Sequence, residues 1–434
     1  MAQGAPKSTW QPGDTVSDAN RTDELVNGVV HRPEFFEHID ATITALDGDL
    51  FDLNQDIHDH PELRFEERHA HDVLTAFMEK QGFEVTHHHL LETAWVAKFT
   101  RGNGGPTLGV NSEMDALPGI GHACGHNLIA ISGVAVACAA KATMEKFDIS
   151  GSIVLLGTPA EEGGSGKAIL LEKGAYEGMD ACLMCHPAPG PPYSASLSSC
   201  LALQRIVVEF HGHTAHAALS PWEGQNAVDA AVLAYNSISV LRQQLKPTHR
   251  VHGMFEGRDW APNIIPDYAK MTWYVRAPTR AEVHVAVKRV TACFEAAGLA
   301  TGCKVDIQMG NTTYDLRQNT ALGEEFADVF TKKFGPVDYI YGIAQASTDF
   351  GNITYALPSL HPSFAIPTKG SNHTPEFTEA AGSKEAHQAC LNISKVLAAT
   401  GVRLLTDEKY LARVKETFAE DLRLRQAEAE MVKA

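Results

Sequence analysis

Residues 113–127 read Glu113-Met-Asp-Ala-Leu-Pro-Gly-Ile-Gly-His-Ala-Cys-Gly-His-Asn127. The apolar run Thr107-Leu-Gly-Val-Asn-Ser comes just before this stretch and predicts a short buried strand, and small residues just after it predict a helix. A strand, a glycine-rich loop with metal-ligating side chains and a helix can together present a metal at the edge of an α/β sheet. Cys124 and His126 could both reach one ion, because Gly125 permits a tight fold between them. We therefore expect the rest of the chain to complete a metal site here.

The composition favours a soluble protein of two packed domains. The chain has 434 residues, of which 44% are hydrophobic, and this is enough for two cores. Its formal net charge is −17 without a basic block, which argues against a nucleic-acid or anionic membrane partner. The N-terminal residues lack the apolar core of a secretory signal, and no uninterrupted apolar run approaches the roughly 20 residues of a membrane span. Eight cysteines in such a chain predict reduced thiols, so we expect a cytoplasmic protein.

Alternating strands and helices predict a discontinuous α/β domain. The continuously apolar strands favour a three-layer α/β/α architecture with a mostly parallel central sheet. Near residue 203 the order changes to β-α-β-β-α-β, which is the ferredoxin-like α+β unit. We therefore expect a flexible arm at residues 1–32, a catalytic domain at 33–202 and 312–434, and an inserted dimerisation or lid domain at 203–311. Two local predictions are a single helix over 33–58 and a strand over 355–360.

Further polar clusters lie at predicted strand ends and in a late loop. Glu161 and Glu162 follow the apolar strand 152–157; because adjacent side chains cannot face the same way, we expect one metal ligand and one general base. His186 follows the next apolar run, and His373 lies in a loop near the C-terminus. Ligands gather at the carboxyl ends of strands in open α/β sheets, so these groups are expected to converge. A cysteine, three histidines and a carboxylate suit Zn²⁺, with Mn²⁺, Co²⁺ or Ni²⁺ possible.

Six motifs of the sequence resemble those of metallopeptidase family 20, the two-metal amidohydrolases that include aminoacylases and carboxypeptidase G. The similarity is greatest to the branch with indole-acetyl-amino-acid hydrolases, p-aminobenzoyl-glutamate hydrolase and β-alanyl-lysine dipeptidases. The motifs are His60-Pro-Glu-Leu-Arg-Phe-Glu-Glu67, Asp115-Ala-Leu-Pro-Gly-Ile-Gly-His-Ala-Cys-Gly-His126, Pro159-Ala-Glu-Glu162, His213-Thr-Ala-His-Ala-Ala218, Ala261-Pro-Asn-Ile-Ile-Pro266 and His373-Thr-Pro-Glu-Phe377. The run Ser347-Thr-Asp-Phe-Gly-Asn is most similar to the β-alanyl-dipeptidase subgroup.

The resemblance implies a role for each matching residue and two bound divalent ions. The ligands that it implies are Cys124, as a bridge between the ions, with His126, Glu162, His186 and His373. Glu161 would be the general base that takes a proton from the attacking water and returns it to the leaving amine. In the inserted domain, His216 would reach the active site of the partner subunit of a homodimer and stabilise the oxyanion. Asn263 and Arg276 would bind the backbone or carboxylate of the substrate.

Some residues keep two interpretations. The resemblance implies that Asp115 orients a metal ligand without itself contacting the metal. We place Glu113 in the same group of supporting carboxylates. Other branches of the family have a histidine ligand at the position of Glu113, so its contact with a metal stays open. His361 is either a pocket residue or an ordinary loop histidine. Arg276 could form a salt bridge within its own domain, and His122 is expected to be structural.

These observations predict a metal-dependent amidohydrolase that cleaves the amide bond of a dipeptide or an N-acyl amino acid. One alternative is an amidase for an aryl-acyl amino acid or a secondary-metabolite conjugate. An alternative of another class is a catalytically silent, metal-binding regulator or partner protein. The presence of every expected ligand together with Glu161 argues against the silent protein, because such a relative has no need of the base.

Overall fold

The structure is a computed structural model in which residues 30–342 and 345–433 are described. The expected arm at residues 1–32 lies outside these residues apart from 30–32. In chain order the α-helices are α1 (Pro33–Ala45), α2 (Asp47–Asp59), α3 (Arg68–Lys80), α4 (His126–Phe147), α5 (Glu161–Gly164), α6 (Gly166–Glu172), α7 (Ala227–Leu241), α8 (Arg280–Thr301), α9 (Thr320–Lys333), α10 (Phe350–Ala356), α11 (Pro375–Ala381), α12 (Lys384–Thr406) and α13 (Glu408–Lys433). The strands are β1 (Glu84–Thr86), β2 (Trp95–Arg101), β3 (Thr107–Glu113), β4 (Gly151–Thr158), β5 (Ala181–Leu183), β6 (His186–Pro189), β7 (Ala195–Ser196), β8 (Ala202–His211), β9 (Arg250–Glu256), β10 (Tyr268–Ala277), β11 (Lys304–Thr313), β12 (Val337–Asp338), β13 (Ser359–Leu360) and β14 (Ser363–Ile366).

The chain divides into two compact units. The first contains the residues up to Ser199 together with Leu316–Leu422, and the second contains Cys200–Asp315 together with the residues from Arg423 onward. Residues 312–434 were all expected in the catalytic domain, whereas the end of α13 groups with the second unit. This helix therefore contributes residues to both units.

A six-stranded mixed sheet lies at the centre of the first unit. Its order is β1-β2-β4-β3-β5-β13; the pairs β4-β3, β3-β5 and β5-β13 are parallel, and the other two pairs are antiparallel. Strand β3 is buried from its second residue onward, as expected for a central strand. Helices α4 and α12 pack on β3, and α6 packs on β4. The predicted α/β/α architecture is confirmed, and a smaller sheet of order β12-β7-β14-β6 lies in the same unit.

Helix α4 is the core helix of the first unit. It follows β3 after the glycine-rich loop and is buried on nearly all sides between β3, α1 and α12. By length and composition alone it could cross a membrane, but 89% of its most apolar window is buried inside the protein. A helix that is apolar all round is expected in the core of a large soluble domain. Its burial fixes the position of its first residue, His126.

Two local predictions were wrong. The helix expected over 33–58 is broken at Leu46 into α1 and α2, where Asp47 at the start of α2 accepts a hydrogen bond of 2.8 Å from Nε2 of His387. The strand expected over 355–360 is mostly helix: α10 continues to Ala356, and only Ser359–Leu360 is a strand. The helix ends there because Leu357, which precedes Pro358, is extended.

The second unit contains a four-stranded antiparallel sheet of order β11-β8-β10-β9. Helices α7 and α8 pack on each other and on β8 and β10. Side chains of β10 alternate between buried and half-buried, so one face of the sheet carries the core of this unit. The chain order β-α-β-β-α-β with this strand order confirms the predicted ferredoxin-like unit.

Candidate metal centre

The loop between β3 and α4 is held in a compact form at Gly125. This residue has φ of 77°, in the left-handed region, and a Cβ at this position would lie 2.5 Å from Cγ of Pro187. Only glycine fits such an approach without strain. The turn places Cys124 directly before it and His126 directly after it, at the first residue of α4. Both side chains are buried.

His186 begins strand β6 and faces Cys124. Its Nε2 lies 3.4 Å from Sγ of Cys124, and its Nδ1 lies 2.8 Å from the carbonyl oxygen of Pro187. A proton on Nδ1 that is donated to this carbonyl leaves the lone pair on Nε2, on the side of Cys124. Burial lowers the pKa of His186 to about 4, so the imidazole is neutral near pH 7. A neutral imidazole is the form that binds a metal.

Asp115 connects two of the predicted ligands. Its Oδ1 lies 3.1 Å from Nδ1 of His126, and its Oδ2 accepts a hydrogen bond of 2.8 Å from the backbone N–H of Glu162. The carboxylate is buried. A carboxylate behind a histidine fixes the orientation of the ring, so the geometry fits the orienting role expected for Asp115.

Glu162 and His373 meet on the other side of Cys124. Nε2 of His373 lies 3.1 Å from Oε1 of Glu162. The backbone N–H of His373 donates a hydrogen bond of 2.8 Å to the carbonyl of Ala123, so the late loop is fixed to the cysteine loop. Ala160, just before the glutamate pair, has φ of 60° and lies in the left-handed region. Such strain is found where surrounding contacts fix a functional turn.

Three overlapping groups of side chains could each hold an ion. In each group the ligand atoms lie within 4.8 Å of one another; the groups are Cys124 with His126 and His186, Cys124 with Glu162 and His373, and His126 with Glu161 and Glu162. Cys124 belongs to two groups, so its sulfur could bridge two ions. Nε2 of His126 and Oε1 of Glu162 are buried and form only ion-pair contacts, at 3.2 Å to Glu113 and at 3.1 Å to His373, which fits atoms that bind a metal. The structure therefore brings the five predicted ligands together, and their coordination stays a prediction.

Two of these residues hold their protons more firmly than usual. Burial and the nearby carboxylate of Glu162 raise the pKa of the Cys124 thiol well above its usual range. Burial opposes the protonation of His126, but Glu113, Cys124 and Asp115 outweigh it and raise the pKa of this imidazole well above its usual range. A metal must therefore displace protons from both residues.

Glu161 is surrounded by other acidic groups. Burial raises the pKa of its carboxyl, and the carboxylates of Glu162, Glu113 and Asp349 raise it further, well above its usual range. An oxygen of Glu161 lies within 4.8 Å of ligand atoms of His126 and Glu162. A carboxylate of raised basicity beside a metal site is suited to accept and return a proton.

A buried ionic triad lies beside the site, and two of its members, Lys167 and Asp349, were not predicted as site residues. Nζ of Lys167 lies 2.6 Å from Oε1 of Glu113 and forms a second ion pair with Asp349. The backbone N–H of Lys167 also donates a hydrogen bond of 2.8 Å to Oδ2 of Asp349. All three side chains are almost completely buried. A lone lysine in helix α6, five residues after Glu162, was the signal in the sequence.

His361 is a buried neighbour of the metal site. The amide of Gln318 holds its backbone through two hydrogen bonds of 2.7 Å, while neither ring nitrogen has a hydrogen-bond partner. The ring lies 5.9 Å from that of His186 between centroids, and burial lowers its pKa to about 3. Of the two interpretations left open, the structure favours a residue of the site over an ordinary loop histidine.

The remaining predicted site residues lie in the second unit. His216 is exposed, and its Nδ1 accepts hydrogen bonds from the backbone N–H groups of Ala218 and Leu219 at 3.2 and 3.1 Å. Asn263 is also exposed and lies close to His216, because its carbonyl accepts a hydrogen bond of 3.0 Å from the N–H of Ala217. Arg276 lies on β10, with its guanidinium 5.7 Å from the ring centre of Tyr274. The roles expected for these residues stay predictions.

Comparison with protein families decides the class to which this site belongs. Residues 109–393, which include all five predicted metal ligands, match peptidase family M20/M25/M40. The chain belongs to this family. It is therefore a hydrolase that acts on peptide or other amide bonds, and the predicted resemblance is confirmed.

Curated relatives match most of this M20-family chain. The Xaa-Arg dipeptidases of Homo sapiens and Mus musculus are 40% and 41% identical to it, over 84% of this chain and 88% of theirs. A p-aminobenzoyl-glutamate hydrolase chain from Escherichia coli (strain K12) is 29% identical over 87% of this chain and 93% of its own.

Solved structures share the fold. A putative aminohydrolase from methicillin-resistant Staphylococcus aureus has a TM-score of 0.70 at 19% identity, over 85% of this chain and 100% of its own. A dinuclear metal binding peptidase of the M20 family from Bacillus subtilis has a TM-score of 0.64 at 19% identity, over 83% of this chain and 99% of its own. At this identity the likeness supports the fold alone.

Proposed function

We propose that this enzyme is a metal-dependent dipeptidase that cleaves the amide bond of a dipeptide or an N-acyl amino acid. The observation that carries the proposal is the convergence of five potential ligands around one proton-accepting carboxylate, Glu161. The sequence identity of 40% and 41% to the two Xaa-Arg dipeptidases supports a substrate with a basic C-terminal residue. The match to p-aminobenzoyl-glutamate hydrolase supports a second candidate, an aryl-acyl amino acid.

Two divalent ions are the proposed cofactors. Cys124, shared by two ligand groups, would hold both; the other ligands are His126, Glu162, His186 and His373. The sulfur, nitrogen and oxygen donors favour Zn²⁺, with Mn²⁺, Co²⁺ or Ni²⁺ as alternatives. When bound, such ions polarise the scissile carbonyl and lower the pKa of the attacking water.

Glu161 is the proposed general base. Its carboxylate takes a proton from the attacking water and then gives it to the nitrogen of the leaving amine, so one residue serves both proton transfers. Burial and three neighbouring carboxylates raise its basicity. Asp115 holds the ring of His126 and the backbone of Glu162 in place while this happens. Glu161 is thus the side chain whose loss should stop the chemistry.

The second unit is proposed to bind substrate and to form a homodimer. His216 would stabilise the oxyanion in the active site of a partner subunit, and Asn263 and Arg276 would bind the backbone or carboxylate of the substrate. The exposed positions of His216 and Asn263, close together, support a shared binding role. Mixing the variants His216→Ala and Glu161→Gln tests this: heterodimers with one intact site should regain part of the activity, and no recovery would argue against a role across subunits.

The proposed location is the cytoplasm. All eight cysteines are free thiols, which fits a reducing compartment. The net charge of −17 gives no support for a nucleic-acid partner. Fractionation of the native protein would check the location.

A substrate panel tests the proposed activity. Dipeptides that end in Arg or Lys, β-alanyl dipeptides, and aryl-acyl amino acids would be incubated with the enzyme in the presence of each candidate metal. Preferred turnover of the dipeptides that end in a basic residue is the expected result. Preferred turnover of the aryl-acyl compounds would favour the second candidate, and a protein that binds metal without hydrolysing any amide would contradict both.

A further inference from the structure

A second cluster of potential metal ligands lies outside the candidate metal centre, where helices α2 and α3 meet. It contains Asp56 in the last turn of α2, His60 just after this helix and His69 in the first turn of α3. One ligand atom from each residue lies within 4.8 Å of the other two. None of the three is among the five predicted ligands, so this cluster needs its own explanation.

The carboxylate of Asp56 presents one oxygen to both imidazoles. Its Oδ1 lies 3.1 Å from Nδ1 of His60 and 2.9 Å from Nε2 of His69. Two donor atoms on one ion with bonds of about 2.1 Å are separated by roughly 3 to 3.5 Å. The first distance falls within this range and the second lies just below it. The three atoms are therefore spaced much as donors around a single ion are.

Protons can satisfy the same atoms when no ion is bound. Nδ1 of His60 also lies 2.8 Å from the carbonyl oxygen of Asp56 and can donate a hydrogen bond to it, while Nε2 of His69 can donate to Oδ1. If both rings were fully protonated, two cations would stand beside one carboxylate with their ring centroids 4.3 Å apart, and they would repel each other. One divalent ion can replace the protons on the two facing nitrogens, because imidazole binds a metal in its neutral form.

Glu62 fixes the position of His69 in this cluster. Its Oε1 accepts a hydrogen bond of 2.9 Å from the backbone N–H of His69, and its Oε2 accepts one of 3.0 Å from that of Ala70. One carboxylate thus holds the start of α3, where negative charge is favourable. Asp56 and His60 are four positions apart at the end of α2 and therefore adjacent in space. The ligands are positioned before an ion binds, which lowers the entropic cost of binding.

The segment 60–69 also supports the candidate metal centre. The carbonyl of Glu62 accepts a hydrogen bond of 2.8 Å from the N–H of Ala116, and Oε1 of Glu67 accepts one of 2.9 Å from the N–H of Ala160. The two alanines are direct chain neighbours of residues in the centre. An ion that joins the two ends of this segment closes it into a loop and stabilises it.

We infer that Asp56, His60 and His69 form an outer cation site, which binds a transition-metal ion such as Zn²⁺, Cu²⁺ or Ni²⁺. Imidazole nitrogens suit these ions, and water completes the coordination. The bound ion links α2 to α3 and stabilises the folded chain. This inference is independent of the proposed hydrolase function, because it uses none of the five predicted ligands.

The chain offers a matched control for the test. His69→Gln and Asp56→Asn each remove one ligand from the outer cation site and keep a polar side chain of similar size. Both residues are partly exposed, so both variants are expected to fold. The control is His87→Gln. His87 also pairs with a carboxylate, at 3.0 Å to Glu79, and 43% of its side chain is exposed against 36% for His69, but it belongs to none of the ligand groups found among the described residues.

The measurement is the number of Zn²⁺ ions bound per chain, by equilibrium dialysis of the full-length protein over a range of free Zn²⁺ followed by metal analysis. The wild type and His87→Gln should each bind one ion more than His69→Gln and Asp56→Asn. Added Zn²⁺ should also raise the unfolding temperature of the wild type further than that of the two outer-site variants. Residues that formed only hydrogen bonds would instead lower this temperature equally with and without Zn²⁺.

Two outcomes would overturn the inference. The first is an equal number of bound ions in the wild type and His69→Gln. The second is the same loss in His87→Gln, which would mean adventitious binding by surface histidines. The proposed function fails separately: a wild type that binds a single ion, lost in His69→Gln, would support the outer cation site and contradict the two-ion centre.

Discussion

Lys167 and Glu113 form an ion pair of 2.6 Å between two completely buried side chains. The pair joins helix α6, which follows the glutamate motif, to the end of strand β3, where the cysteine loop begins. Asp349, just before α10, completes the triad. Burial opposes the ionisation of Glu113, but Lys167 and His126 outweigh it and lower its pKa to about 2. Three separate segments of the chain are thus tied together directly beside the candidate metal centre.

Removal of the lysine should destabilise the fold. In Lys167→Met, the buried carboxylates of Glu113 and Asp349 would lose the cation that they share, and breaking a buried ion pair in this way costs about 3 to 5 kcal/mol of the free energy of unfolding. Denaturant unfolding of the chelator-treated protein measures this loss. The matched control is Lys141→Met, because Lys141 pairs with the more exposed Glu145 at 3.2 Å and should contribute about 1 kcal/mol or less. If both substitutions lowered the free energy of unfolding by the same amount, the triad would stabilise the fold no more than the exposed ion pair does.

Metal binding should release protons. The pKa values of Cys124 and His126 are both raised well above their usual ranges, so both residues carry protons near pH 7 before metal binds. Ligands bind in their deprotonated form, so we expect the release of roughly two protons and an affinity that rises with pH. Calorimetric titration with Zn²⁺ in buffers of different ionisation enthalpy counts these protons. An affinity that does not change between about pH 6 and 8 would speak against both residues as ligands.

His122 should control part of the acid stability. Burial lowers its pKa to about 3 in the folded protein, whereas an unfolded chain has a histidine pKa of about 6.5. The unfolded state therefore binds the extra proton as the pH falls below about 6.5, and the folded state loses about 1.4 kcal/mol per pH unit until about pH 3. His122→Phe should remove this part of the slope between pH 6 and 4, as measured by denaturant unfolding. An unchanged slope would show that the buried imidazole does not resist protonation.

Asp115 should act through the two residues that it holds. Asp115→Ala would release the ring of His126 and the backbone of Glu162, and loss of such an orienting carboxylate costs about ten- to a hundredfold in metal affinity. Asp115→Asn keeps an oxygen that can accept the hydrogen bond from the backbone N–H of Glu162, so this variant should lose less metal affinity than Asp115→Ala. Chelator competition compares the two, and identical affinities in both variants and the wild type would exclude an orienting role.

The sequence revealed the parts of this site that depend on local pattern. Cys124, His126 and the glutamate pair lie at predicted strand ends, and the ends of neighbouring strands must meet. Lys167 and Asp349 were not found, because they are 182 positions apart and only the folded chain shows that they form a pair. His361 stayed undecided for the same reason, since its burial depends on packing against Phe350 and His186. The strand prediction over 355–360 was wrong because helix α10 continues to Ala356. The helix ends at the extended Leu357, before Pro358, and leaves only a short strand after it.

The central claim is that Glu161 transfers the proton in an amide hydrolysis supported by bound metal. Glu161→Gln keeps the size of the side chain and removes its basicity, so the direct measurement is the kcat of this variant on the preferred dipeptide together with its metal content. The expected result is a loss of about a hundred- to ten-thousandfold in kcat while the metal content stays that of the wild type. Near-normal turnover with normal metal content would contradict the account.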